Sequence, residues 1–138
     1  MKNKKILFWI PAVACMAAIF VLSSMPSLPQ PPGIFGFDKF EHYLAYAVLS
    51  ILVFIASRKT WPSSKLSRIM ALSVVITTFY GMTDEFHQRF VPNRCCDVFD
   101  LMADMTGAIS GAVLAFITVK IFTSRKGKCD SYGKRAEK

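Results

Sequence analysis

Four apolar stretches alternate with polar and proline-bearing ones along the chain: Ile6 to Met25, Phe40 to Ala56, Ile69 to Phe86, and Leu101 to Phe122. A hydrocarbon core of roughly 30 Å takes about 20 helical residues to cross, and the four runs are close to that length. The second and third are short, which puts their polar ends at the interface. Lipid supplies no partner for a backbone N–H or C=O, so such runs fold as helices and strands are set aside. Between them, Pro29, Pro31, Pro32, Gly33 and Gly36 mark a loop over residues 27–36. Trp61-Pro62 marks a short turn over 57–67, and Val91-Pro92-Asn93 breaks the chain after the third run. The pattern predicts an all-α, polytopic membrane protein with four transmembrane helices packed as a bundle over residues 1–125. A basic tail over 126–138 is expected to be disordered or loosely attached to the membrane surface. No internal repeat or second domain is evident.

The N-terminus admits a competing reading. Lys2, Lys4 and Lys5 before an apolar run resemble a secretory signal. The run is long for a signal core, no small-x-small cleavage site precedes a soluble domain, and three further runs follow. It reads as the first membrane helix, with Pro11 tolerable near its start.

Composition agrees with a membrane protein: 53% of the 138 residues are hydrophobic and 19% are charged. The net charge of +8 raises nucleic acid as a partner, but its distribution argues for a bilayer. With the N-terminus inside, the inner segments carry Lys2, Lys4, Lys5, Arg58, Lys59, Lys65, Arg68, Lys120, Arg125, Lys126, Lys128, Lys134, Arg135 and Lys138. These are fourteen of the seventeen cations, leaving Lys39, Arg89 and Arg94 outside. Such asymmetry predicts that both termini are cytoplasmic. The acids run the other way: Asp38, Glu41, Asp84, Glu85, Asp97, Asp100 and Asp104 fall on the outer side, and only Asp130 and Glu137 fall inside. A carboxylate cluster of this kind at a membrane surface must pair internally, hold a cation or meet a cationic ligand.

Helical spacing gathers these groups into seams. Asp38, His42 and Tyr46 recur every four residues on the second run. Ser73, Thr77, Gly81, Asp84 and Gln88 share a side of the third, and Asp97, Asp100, Asp104, Gly107 and Gly111 a side of the fourth. Polar seams on membrane helices face the bundle interior, so the three are expected to meet in one pocket opening outward. Gly107 and Gly111 fit a small-xxx-small motif, which serves either a homo-oligomer or close packing within the bundle. Cys95 and Cys96 are adjacent, a spacing that makes only a strained bridge, and read as free thiols.

The order and spacing of three blocks resemble the VanZ-like membrane proteins over roughly residues 20 to 116. They are Asp38-Lys39-x-x-His42-x-x-x-Tyr46, Asp84-Glu85-x-x-Gln88-x-x-x-Pro92-x-Arg94, and Asp100-x-x-x-Asp104-x-x-Gly107-x-x-x-Gly111. Ser23-Ser24 before a proline is similar to the end of that family's first helix. Asp104 stands where relatives often carry asparagine, and Asn93 where glycine is frequent. The resemblance implies a protein of the bacterial cytoplasmic (inner) membrane, from a family associated with reduced susceptibility to the glycopeptide teicoplanin. It implies no settled reaction.

The candidate pocket is therefore Asp38, Lys39, His42, Tyr46, Asp84, Glu85, Gln88, Arg94, Asp100 and Asp104. Asp84 and Glu85 can serve acid–base chemistry or hold Arg94 in internal pairs, and pairing is the expected use. Adjacent residues on a helix point about 100° apart, so the two cannot face one substrate atom. His42 can be a structural hydrogen-bonder, a proton shuttle or a metal ligand. No cofactor is required, though mixed oxygen and nitrogen donors suit a divalent cation. The expected function is recognition of a cell-envelope component, a peptidoglycan precursor or a glycopeptide, with Arg89 and Arg94 clamping phosphate or carboxylate. The alternative is an enzyme acting on a lipid-linked or phosphate-bearing substrate at the outer leaflet, and a small transporter comes third.

Overall fold

The structure, a computed structural model, describes residues 3–26, 36–94 and 97–136, with side chains over 5–26, 36–94 and 97–125. Every regular element among the described residues is helical. A short α1 (Asn3–Ile6) and a 3-10 turn (Leu7–Trp9) lead into α2 (Ile10–Ser23), and Pro11 falls in its first turn, where no helical N–H is required. Then come α3 (Phe37–Thr60), α4 (Leu66–Gln88) and α5 (Val98–Ala136).

Three helices are long and apolar enough to cross a membrane: Phe37–Thr60, Leu66–Gln88 and the Val98–Arg125 part of α5. At 1.5 Å per residue each runs about 35–42 Å, beyond the roughly 30 Å of hydrocarbon. The first apolar helix, Leu7–Ser23, is shorter. It nevertheless runs the height of the bundle. Lys5 and Trp9 bond Thr60 at the C-terminal end of α3, while Ser23 and Ser24 reach Asp84 and His87 at the C-terminal end of α4.

The chain turns where its residues force it to. Helix α3 stops at Trp61, before Pro62, because a residue preceding proline is driven out of the helical region. Gly36, at φ +82°, opens α3. Asn93 takes φ +62° after α4, a left-handed conformation that asparagine tolerates better than most side chains. That geometry explains why glycine suits this position equally well. The proline-rich stretch 27–35 and the pair Cys95-Cys96 lie outside the described residues.

Helices α3 and α5 run parallel, and their contact is backbone against backbone. A Cβ on Gly107 would stand 2.3 Å from the Tyr43 carbonyl oxygen, and one on Gly111 would stand 2.2 Å from that of Ala47. The small residues therefore serve packing within the bundle. Ser50 donates across the same seam to the Ala108 carbonyl at 2.7 Å. Around it, Ala12, Ile19, Tyr46, Leu49 and Val53 form one buried cluster, and Phe54, Ile69 and Ala115 a second. Large apolar side chains such as Val75, Phe79, Phe86, Phe99 and Ile109 lie outward and exposed, as a lipid-facing surface requires.

The backbone of the basic C-terminal segment continues α5 as helix through Ala136, which replaces the disordered form and leaves loose attachment to the membrane surface as the expectation. Its Lys, Arg and Ala residues favour helix, against Gly127 and Gly133.

Candidate functional site

The first two turns of α3, the last of α4 and the first two of α5 meet at one end of the bundle. There the polar seams converge, as their spacing predicts. His42 Nδ1 lies 2.9 Å from Asp104 Oδ1 and 3.9 Å from Glu85 Oε1, which ties all three helices together. Asp104 is fully buried and Glu85 nearly so, whereas the His42 side chain stays partly open.

Lys39 closes the rim. Its ammonium donates to Asp38 at 2.9 Å, to Asp97 at 3.1 Å and to Asp100 at 2.9 Å. The Phe99 amide and the Lys39 ammonium beside it hold the Asp97 carboxyl below the usual carboxylate range. The Asp97 amide in turn donates to Glu85 Oε2 at 3.2 Å, fixing that carboxylate from one side.

Asp84 turns away from this group, as the 100° step between neighbouring helical residues requires. It accepts from Ser23 at 2.8 Å and from Gln88 at 3.1 Å, and all three side chains are buried. Tyr46 lies between the two carboxylate groups, with its ring parallel to that of His42 at a centroid distance of 6.5 Å. Gly81 makes room for the arrangement: a Cβ there would stand 3.0 Å from Asp104 Oδ2 and 3.1 Å from Tyr46 Cε1.

Six of the ten predicted residues, Asp38, Lys39, His42, Glu85, Asp100 and Asp104, thus form one polar group, Asp84 and Gln88 a second beside it with Tyr46 between, and Arg94 pairs with neither. The Arg94 guanidinium donates to the carbonyl oxygens of Met25 at 3.1 Å and Leu22 at 3.3 Å. Among the described residues no ion pair involves it. The expected Arg94–carboxylate pairing is therefore corrected to a cap on the C-terminal end of α2. The reason is geometric, because the four last carbonyls of a helix lack intrahelical donors and a cation there also meets the negative end of the dipole. Arg89 is exposed. Neither arginine is available inside the cluster to clamp an anion.

Ser23, which reads in the sequence only as part of a helix end, is a buried donor to Asp84. Its signal was the Ser23-Ser24 pair at the close of an apolar run; Ser24 meets His87 Nε2 at 3.0 Å.

Several acceptors remain open. Asp84 Oδ1, Glu85 Oε1 and Asp104 Oδ2 are buried without a hydrogen-bond partner among the described residues, as is the Tyr46 hydroxyl. One ligand atom each from His42, Glu85 and Asp100 lie within 4.8 Å of one another, close enough to serve a single metal ion. The apolar groove lined by Met16, Val75, Ile76, Phe79 and Tyr80 faces the lipid side between α2 and α4 and takes no part in the cluster.

Helices of this length and an apolar exterior around a buried polar seam define a multi-pass helical membrane protein. The VanZ/LLP1 family model matches residues 8–120, and the chain belongs to that family. No curated protein and no solved structure matches it.

Proposed function

We propose that this VanZ/LLP1-family protein crosses the bacterial cytoplasmic membrane four times, with both termini inside. The polar cluster then lies at the outer face, where it recognises a cell-envelope component or a glycopeptide antibiotic. The topology rests on the fourteen-to-three cation asymmetry, and on the segment from Lys5 to Ser24 reaching from Thr60 at one end of the bundle to His87 at the other as a fourth crossing.

The observation that carries the function is the pair of buried carboxylate oxygens, Glu85 Oε1 and Asp104 Oδ2, without a donor among the described residues. A buried acceptor left unpaired costs about 1–3 kcal/mol, and more when charged. A ligand presenting hydrogen-bond donors or positive charge offsets that cost on binding. A site built only for packing would have no use for it. Anion clamping by Arg94 is not part of this reading, since that side chain caps α2.

A second reading has its own observation. The contact of His42 with a buried carboxylate, with Glu85 on the other side, is the geometry that orients an imidazole for proton transfer. It fits an enzyme acting on a lipid-linked or phosphate-bearing substrate at the outer leaflet.

Cells lacking the protein, complemented with variants, separate the two. Recognition predicts altered teicoplanin susceptibility or surface properties, graded loss with His42→Ala, tolerance of Asp104→Asn, and an unchanged set of lipid-linked precursors. Accumulation of one lipid-linked species, with complete loss of the phenotype in His42→Ala and Glu85→Gln, would replace recognition by catalysis. An intact fold with complete loss in Asp104→Asn would also count against recognition, because the amide keeps the shape and one acceptor oxygen while exchanging the other for a donor and losing the charge.

A further inference from the structure

We propose that His42, Glu85 and Asp100 form a binding site for one divalent cation of the first transition row, manganese(II) or zinc(II). Their ligand atoms lie within 4.8 Å of one another. Metal–ligand bonds of about 2.0–2.2 Å set neighbouring donors roughly 3–4 Å apart, so small side-chain movements close the triangle.

Acidic clusters are common, and the case rests on how these three groups are held. Each candidate ligand is fixed by a partner outside the triad. Asp104 takes His42 Nδ1 at 2.9 Å, the Asp97 amide takes Glu85 Oε2 at 3.2 Å, and Lys39 takes Asp100 Oδ1 at 2.9 Å. Metal ligands are oriented in this way by their surroundings. What is left over is Glu85 Oε1, which has no hydrogen-bond partner among the described residues and belongs to a residue only 3% exposed. It lies 3.9 Å from His42 Nδ1, the nitrogen that Asp104 holds, which leaves Nε2 to serve a cation.

Charge leads to the same place. Five carboxylates, Asp38, Glu85, Asp97, Asp100 and Asp104, gather around the single ammonium of Lys39 and the imidazole of His42, a formal excess that a dication reduces. One imidazole with two carboxylates favours manganese or zinc over calcium, which prefers an all-oxygen shell. Three protein ligands leave coordination positions open for water or for an oxygen of an incoming phosphate or carboxylate. The cation would supply the attraction for such an anion that the acidic cluster alone refuses. The site stands whether the protein recognises its ligand or transforms it.

The test uses the full-length protein in detergent, stripped with a chelator and titrated with manganese(II) while the free-ion electron paramagnetic resonance signal is followed. The expected result is one bound ion per chain, displaced by zinc(II) and not by equimolar calcium(II). Pulsed measurements should show nitrogen-14 coupling in the wild type and in His87→Gln, and none in His42→Gln; these are the only two histidines. Glu85→Gln and Asp100→Asn should weaken binding about tenfold or more, and Asp104→Asn, which acts through His42, about tenfold. No saturable binding, or binding without nitrogen coupling in the wild type, would overturn the proposal. If variants fail to fold, the wild type and His87→Gln alone decide it.

Discussion

The two ends of the bundle are made of the same helices and treat their polar groups in opposite ways. At the end where α3 stops, donors find partners close by, most of them backbone carbonyls. Lys5 donates to the Thr60 carbonyl, Trp9 to the Thr60 hydroxyl, Thr60 to the Ala56 carbonyl and Ser73 to that of Ile69. The Ser57 hydroxyl is an exception, but a neutral hydroxyl left unpaired costs far less than an ionised carboxylate. At the other end, carboxylates from α4 and α5 are buried together beside His42 of α3, and several oxygens have no donor among the described residues. One end is closed on itself. The other leaves buried carboxylate oxygens without a donor among the described residues, the feature on which the proposed binding role rests.

The contrast breaks first at the seam that holds both ends in register. Gly111→Leu or Gly107→Val would drive a side chain into the Ala47 or Tyr43 carbonyl and push α3 from α5. Over-packing of this kind costs about 3 kcal/mol or more when the obstacle is backbone, and detergent thermal melts should show the largest loss here. Retained melting would mean that the helices pack differently.

Ser23→Ala comes next. It removes the 2.8 Å donor to buried Asp84 and leaves Gln88 as its remaining partner, for an expected loss of about 1–2 kcal/mol in the same melts. A neutral result would show that water reaches Asp84.

Arg94→Ala should cost about 1 kcal/mol or less, because two partly exposed carbonyl contacts are lost and no buried carboxylate is orphaned. A loss of several kcal/mol would restore the ion pairing that the structure denies. Arg94→Lys, which keeps the charge and one donor, should recover part of the effect.

Ser73→Ala is the smallest change, within about 0.5 kcal/mol, since the hydroxyl only returns to its own helix. The comparison sharpens if Ser23→Ala exceeds Ser73→Ala at equal burial, because both serines are buried and only one of them serves a carboxylate.

Much of this was legible in the residues. Apolar runs of membrane length set the helices, because lipid leaves a backbone no other way to satisfy itself. The three- and four-residue spacing of Asp38, His42, Tyr46, Asp84, Gln88, Asp100 and Asp104 set which faces turn inward, since helical periodicity is local. Even the separation of Asp84 from Glu85 follows from the pitch of one helix. What a single helix cannot contain is its neighbour. That His42 chooses Asp104, that Lys39 gathers Asp38, Asp97 and Asp100, and that Ser23 supports Asp84 across 61 residues of chain are decided by helix packing alone. Arg94 shows the limit most clearly: its charge suggested a carboxylate partner, and its guanidinium meets the carbonyls of Leu22 and Met25 instead. Charge travels with the sequence, whereas the partner is settled by distance, and distance exists only in the folded bundle.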